Sequence, residues 1–369
     1  MKFSSFITQL KEHHAKELPF VAYHKPNHSK INALLDQNAE QSPFDYTQKG
    51  FVMSAFQGED LTHFIQLENA VQLAVDYAVN DLTFKTTHAS TQFSDQEALN
   101  YQNQISNCIE HIQNTEVQKI VFSRKVEIAS SQDPFQAFKN LLHLYPEAFC
   151  YIWHHPKLGT WLGATPETLF HLQRNQLKTM ALAGTQLDNE EKEVSWGAKE
   201  REEQALVTQA IVEGLRKHTQ QVKQGPVSTK KAGKLLHLHT PISAQIELLD
   251  LPKIIHEIHP TPAVAGLPKE EAINYLVSKE NYQRKYYTGF LGEVHIPQQV
   301  DVRKHRKNQE FQAVQPRIPL TDLYVNLRCM EFTGASYQLY VGGGITEASN
   351  PKLEWEETQN KLQTMLNVL

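Results

Sequence analysis

A chain of 369 residues with 40% hydrophobic and 21% charged residues is long enough to bury a substantial core, as one large domain or two. A formal net charge of -5 leaves no global attraction to nucleic acid or to an anionic membrane surface. No stretch approaches the roughly 18 uninterrupted apolar residues of a membrane span. Cys108, Cys150 and Cys329 are the three cysteines; far apart and without C-x-x-C spacing, they predict reduced thiols in a cytoplasmic protein. The opening "MKFSSFITQLKEHHAKELPF" has no apolar run, so no secretory leader is expected.

In chain order, the first hundred residues are polar and weakly patterned. The segment "SDQEALNYQNQISNCIEHIQNT" predicts a helix opened by Ser94, with acids in its first turn. "VQKIVFSRKVEI" alternates as a strand, with Ile120, Phe122, Val126 and Ile128 on one face and Val117, Lys119, Val121 and Ser123 on the other. Residues 149–187 predict an antiparallel meander, with hairpin turns at "HPKLG" and "QRNQ". A long helix is expected over 190–218, then the flexible "KQGPVSTKKAGK" and the strand "LLHLHTPISA". "KEEAINYLVS" reads as a helix; "YYTGFLGEVHI", "LYVNLRCMEF" and "YQLYVGGGI" read as strands. "DVRKHRKNQEFQ" is a charged loop, and "PKLEWEETQNKLQTMLNVL" closes the chain as a helix. Strands in meanders with interleaved helices point to an α+β fold, helices packed on antiparallel sheet.

Several charged residues stand where apolar ones are expected. On the helix through "WGAKEREEQALVTQAIVEGL", Val207, Ala210, Ile211 and Gly214 form the apolar stripe, and Glu200 and Glu203 fall inside it. A carboxylate on a buried face is costly unless it is paired or binds a metal; alternatively, Glu203 lies in a frayed first turn, where an acid suits the helix dipole. On the last helix Glu354, Glu357 and Lys361 flank the stripe of Trp355, Leu362, Leu366 and Leu369. Taken alone, that flank is also compatible with an exposed i,i+4 pair contributing about 0.2–0.5 kcal/mol. Gly342, Gly343 and Gly344 let backbone approach a ligand closely. Two acids brought from separate helices suit a hard cation such as Mg²⁺, and Arg328, Lys361 and Lys119 suit an anionic, carboxylate-bearing substrate, with Arg328 the natural bidentate anchor. Glu167 is a further acid inside an apolar hairpin.

"KIVFSR", "GATPETLF", "ALAGT", "KEREEQALV", "LLHLHTPI", "HPTPAVAGLP", "YYTGFLGEV", "LRCMEF" and "VGGGITEASNPKLEWEETQNK" occur in the order found in chorismate-utilising enzymes, and within them the chain most resembles the isochorismate synthases. The resemblance runs over residues 117–369, the expected catalytic core; residues 1–116 form a weakly recognisable N-terminal part of the same domain. It implies a single large chorismate-binding domain with the active site in a central cleft, and a Mg²⁺-dependent, reversible isomerisation. In that reaction water attacks C2 of chorismate while the C4 hydroxyl departs, which requires a base and an acid on opposite sides of the ring. By resemblance the base is Lys119 and the acid Glu167. A lysine base must be neutral part of the time, whereas Glu167 must keep its proton near neutral pH. Also by resemblance, Glu203 and Glu357 hold Mg²⁺ with Glu354 behind them, and Gly184, Thr185, His237, Ala263, Arg328, Gly342, Gly344 and Lys361 meet the substrate. Gln204 departs from the family pattern, in which histidine often follows the metal glutamate, and the loop between Gly184 and Glu203 looks short.

The nearest alternatives are sibling chemistries on the same scaffold: salicylate synthase, or the ammonia-using anthranilate and aminodeoxychorismate synthases. No amidotransferase motif is evident and no such subunit is expected; the resemblance to this branch implies a monomer. A zinc protein using His237, His239, His256 and His259 is a more distant alternative, without an H-E-x-x-H frame. "RKHRK" at 303–307 is more simply a solvated hairpin tip than a nucleic-acid patch. The fate of isochorismate, in menaquinone, siderophore or salicylate synthesis, is not encoded in any motif.

Overall fold

The strand Lys119–Ala129 is buried on both faces over its first five residues and alternates buried and exposed toward its end. That pattern belongs to a strand whose start lies between two layers and whose end reaches the rim. The computed structural model describes residues 1–40, 44–58, 61–78, 84–86, 91–188, 194–232, 235–299 and 317–369; the charged stretch 303–307 lies outside them.

Among these residues the chain builds two nine-stranded sheets. The first runs in the order Gly266–Leu267, Lys119–Ala129, Ser336–Ile345, Cys329–Phe332, Gly159–Thr165, Phe149–His155, Phe20–His24, Lys30–Asp36 and Ala70–Asp76. The second runs Val222–Gln224, Leu235–Gln245, Gln176–Leu187, Thr168–Gln173, Arg317–Val325, Phe290–Gln299, Gly50–Ser54 and His63–Gln66, with Ser228–Ala232 pairing on the strand Leu235–Gln245. Strand pairing is antiparallel in both sheets. The sheets face each other across an aromatic layer that includes Tyr23, Phe51, Phe149, Trp153, Trp161 and Tyr286. Fully burying each such ring contributes about 1.5–3 kcal/mol. Helices Phe3–His14, Pro134–Leu144 and Pro351–Leu366 cover the outer face of the first sheet, and Ala198–Arg216 and Leu251–Ile258 cover the second. The architecture is α+β, as the alternation of meanders and helices predicts. No helix among the described residues is long and apolar enough to cross a membrane.

The helix Asp95–Gln113 starts where expected: the Ser94 hydroxyl accepts from the Glu97 N–H, and the Glu97 carboxylate accepts from the Ser94 N–H, a reciprocal capping box. Both predicted hairpin turns are present, joining Phe149–His155 to Gly159–Thr165 and Thr168–Gln173 to Gln176–Leu187. The meander is not one sheet, however. At Pro166–Glu167 the chain leaves the first sheet for the second. "LYVNLRCMEF" is likewise two strands rather than one: Arg317–Val325 lies in the second sheet, Cys329–Phe332 in the first, and Asn326–Arg328 cross between them. Tyr286–Gly289 form a turn, so the strand predicted from Tyr286 begins at Phe290. The long helix expected over 190–218 is confined to Ala198–Arg216; residues 189–193 lie outside the described set.

Candidate active site

The two crossings between sheets are bonded to each other. The Val325 N–H donates to the Glu167 carbonyl at 3.0 Å, the Ala164 N–H to the Arg328 carbonyl at 3.0 Å, and the Thr165 hydroxyl to the Val325 carbonyl at 2.6 Å. Asn326, fully buried, binds a third segment to the pair. Its amide donates to Tyr286 O at 2.8 Å, its Oδ1 accepts from the Tyr151 hydroxyl at 2.7 Å, and its backbone exchanges bonds with Thr288 and Gly289. Glu167 and Arg328 therefore enter one cavity from a rigid junction. Arg328 holds a positive φ of 47°, a sparsely populated conformation for a non-glycine residue, with a cost of order 1 kcal/mol or more.

Of the residues singled out in the sequence, Glu167, Gly184, Thr185, Glu203, His237, Ala263, Arg328, Gly342, Gly344, Glu357 and Lys361 all line this cavity. Lys119 and Glu354 stand behind its wall, both almost wholly buried. Lys119 reaches the site through Glu203, with Nζ 2.8 Å from Oε1. Glu203 is the sixth residue of its helix, past the first turn, so helix-end fraying does not account for it. The glycine run makes the room. A Cβ on Gly344 would lie 2.6 Å from Glu203 Oε1 and 2.9 Å from Lys119 Cε, and one on Gly343 3.1 Å from Glu354 Oε2. At Gly342 it would meet the Phe122 carbonyl at 2.8 Å.

The cavity's carboxylates are unlike one another. Burial pushes the Glu167 carboxyl up to about 7, against the pull of Lys119, Lys230, Arg328 and Lys361. Burial also raises Glu354, and the neighbouring charge of Glu357 adds to it. For Glu357 burial acts upward too, but Lys361, Lys199 and Arg328 hold its carboxyl below the usual range. Lys361 Nζ stands 2.5 Å from Glu357 Oε1 and donates to the Gly342 carbonyl at 2.9 Å; Lys199 Nζ stands 2.6 Å from Glu354 Oε1.

His237 is pulled down to about 3 by burial first and by Arg328 second, so its ring is neutral at physiological pH. Its Nδ1 donates to the Gly184 carbonyl at 2.9 Å, which leaves Nε2 as an acceptor with no protein partner among the described residues. Gly184 supplies that carbonyl from a positive φ of 69° beside a bulge between Ala183 and Gln186, where glycine is favoured. The Arg328 guanidinium has no hydrogen-bonded or ion-paired partner among the described residues, although it lines the cavity. A half-buried guanidinium that faces a cavity without a protein partner is suited to a carboxylate ligand.

As the side chains are placed, no three His, Cys, Asp or Glu groups among the described residues stand close enough to hold a metal ion. The donor set still fits a hard cation. Glu203 and Glu357 present oxygens to the cavity, and Glu354 Oε2 is a buried oxygen without a hydrogen-bond partner among the described residues, next to a glycine backbone that leaves space. Oxygen donors of this kind suit Mg²⁺ rather than a softer metal. The histidines considered for zinc do not gather: His259 is held by the Thr288 carbonyl, His237 by Gly184 and His239 by Ser228.

Sequence reasoning passed over Lys199, Tyr287 and Tyr340, all on the cavity wall. Lys199 was visible only as part of the charged run "AKEREE". Tyr287 has the surroundings of a strand in the sequence although it sits in a turn, and Tyr340 is in sequence an ordinary aromatic of an alternating strand.

Two antiparallel sheets thus enclose a cavity lined by the carboxyl of Glu167 and the guanidinium of Arg328, with the buried Lys119 behind its wall. The chain belongs to the chorismate-binding enzymes: residues 50–302 match one model described as chorismate binding enzyme, and residues 320–367 match a second of the same description. It is 29% identical over 221 residues to the isochorismate synthase MenF of Escherichia coli K12, covering 57% of this chain and 46% of that protein. It is 30% identical over 271 residues to the isochorismate synthase EntC of the same strain, covering 69% and 62% respectively. These matches thus span less than two thirds of each relative. Among solved structures, the menaquinone-specific isochorismate synthase MenF from Escherichia coli superposes with a TM-score of 0.74 over 95% of this chain and 88% of that one. At 20% identity that likeness shows the fold.

Proposed function

We propose that the protein is an isochorismate synthase, interconverting chorismate and isochorismate with Mg²⁺. One observation carries the reading: a carboxyl that keeps its proton to about pH 7, on Glu167 in the turn between two strands, and a buried lysine, Lys119 on another strand, serve the same cavity. Similarity to relatives named isochorismate synthases supports it.

In this mechanism Arg328, with Lys361 beside it, anchors a substrate carboxylate by charge-assisted hydrogen bonds. Gly342 and Gly344 let the ring lie against backbone, and Gly184, Thr185 and Ala263 shape the opposite wall. His237 accepts a hydrogen bond from a substrate hydroxyl at Nε2. Lys119 Nζ takes the proton from the water that attacks C2, and Glu167 gives its proton to the departing C4 hydroxyl. Glu203 and Glu357 would hold Mg²⁺, with Glu354 behind. Mg²⁺ when bound neutralises and orients the ring carboxylate.

The product would enter menaquinone or siderophore synthesis, and we take the enzyme to act as a cytoplasmic monomer without an amidotransferase subunit. The test is chromatography of all products from purified protein, chorismate and Mg²⁺ without ammonia. Isochorismate at equilibrium with chorismate, no pyruvate, and loss of turnover with chelator are expected. Pyruvate with salicylate, or an aminated product once ammonia is added, would move the protein to a sibling reaction on the same fold.

A further inference from the structure

Arg124 breaks the pattern of its strand. It shares a face with Ile120, Phe122, Val126 and Ile128, which pack into the hydrophobic clusters under the helices. A charge placed in such a row is costly unless something compensates it. The guanidinium has no carboxylate partner among the described residues. Its carbon lies 4.2 Å from the ring centre of Trp355, 4.7 Å from Phe93 and 5.7 Å from Tyr101, a three-sided aromatic cage. Its Nε donates to the Thr358 hydroxyl at 3.0 Å, and that hydroxyl donates on to the Trp355 carbonyl at 2.8 Å. Burial pulls the guanidinium down only to about 10, so it is cationic at neutral pH.

Trp355 and Thr358 are the residues immediately after Glu354 and Glu357 on the helix Pro351–Leu366. We propose that Arg124 is a positioning residue, which fixes the rotation of this helix about its axis and so aims Glu354 and Glu357 at the cavity. The proposal rests on reading those carboxylates as the cation site. A helix with side chains has an outer radius of about 5–6 Å, so a turn of about 20° displaces a carboxylate by about 2 Å. That is roughly the length of a Mg²⁺–oxygen bond, enough to remove a ligand. An apolar residue at 124 would fill space but could not bond Thr358. Arg124 also stands five residues along the same strand from Lys119, so one strand carries the proposed base and sets the helix bearing the cation ligands.

The experiment measures Mn²⁺ affinity by electron paramagnetic resonance on the full chain with chorismate present, alongside the melting temperature. Arg124→Met is expected to weaken Mn²⁺ binding about tenfold or more, the usual effect of losing a group that orients ligands. Arg124→Lys, which keeps a cation in the cage, should recover part of that affinity. Thr358→Val, a milder change that keeps the cage, should weaken Mn²⁺ binding in the same direction and guards against a misfolded Arg124→Met. A lowered melting temperature with wild-type Mn²⁺ affinity in Arg124→Met and Thr358→Val would overturn the proposal while leaving the site reading intact. Glu357→Gln separates the two: Mn²⁺ binding that ignores this change refutes the carboxylate site itself, and the proposal with it.

Discussion

Glu167 lies in a short turn between two strands, yet it is almost wholly buried. The fold favours its protonated form, since burial raises the carboxyl from 4.5 to about 7. The native state therefore holds a proton there that the unfolded chain gives up from about pH 4.5 upward. The resulting stability is complete below that value and is lost as pH rises through about 7. Glu167→Gln removes the loss, so above pH 7 the variant should be more stable than wild type by up to about 3 kcal/mol. Urea titrations at pH 5 and pH 8, without metal or substrate, check this: the stability gap should open between them. Turnover should be abolished in the same variant, and a gap that stays constant with pH would contradict the buried, protonated state. The residue itself was legible from "TPE" and its apolar surroundings. What makes it protonated, enclosure between two sheets, depends on a crossing that no local pattern marks.

At the scale of elements, the junction at Asn326 holds two crossings and a turn together. Asn326→Ala leaves the Tyr151 hydroxyl buried without its partner and takes one of two donors from the Tyr286 carbonyl, which keeps the Gly289 N–H at 3.0 Å. A buried group left unsatisfied costs about 1–3 kcal/mol, so a loss of about that size is expected in chemical denaturation. Because Arg328 is two residues on, the KM for chorismate should rise as well. The helices and hairpin turns were readable because caps and turn residues act over three or four positions, as Ser94 and Glu97 do. The sheet exchange was not. "LYVNLRCMEF" keeps a strand-like composition through Asn326, and only pairing with distant strands shows where one sheet ends. In the same way, Glu203 could be a fraying acid or a site residue until the helix start was fixed at Ala198.

Taken whole, the molecule depends on its first hundred residues more than their weak pattern suggested. They supply five strands, three to the first sheet and two to the second. Just after the strand Phe20–His24, Lys25 is buried and pairs with Glu293 at 2.6 Å and Asp322 at 2.8 Å, both on the second sheet. Tyr23 donates to the same Glu293 at 2.5 Å. Lys25→Met would leave two carboxylates buried without their cation, at a cost of about 3–5 kcal/mol. Denaturant unfolding should register that loss in a single transition for the whole chain if the N-terminal strands are part of one cooperative unit. A separate early transition would show them to be an independent layer. Lys25 was unreadable in advance because its partners lie some 270 and 300 positions away.

The bonded crossings have a mechanical consequence. Glu167 and Arg328 are each fastened to backbone that passes from one sheet to the other, and each crossing is tied to its counterpart. If one sheet slides against the other, both residues are carried along together. Thermal breathing of the sandwich thus changes the width of the cavity while the gauge between acid and guanidinium stays set.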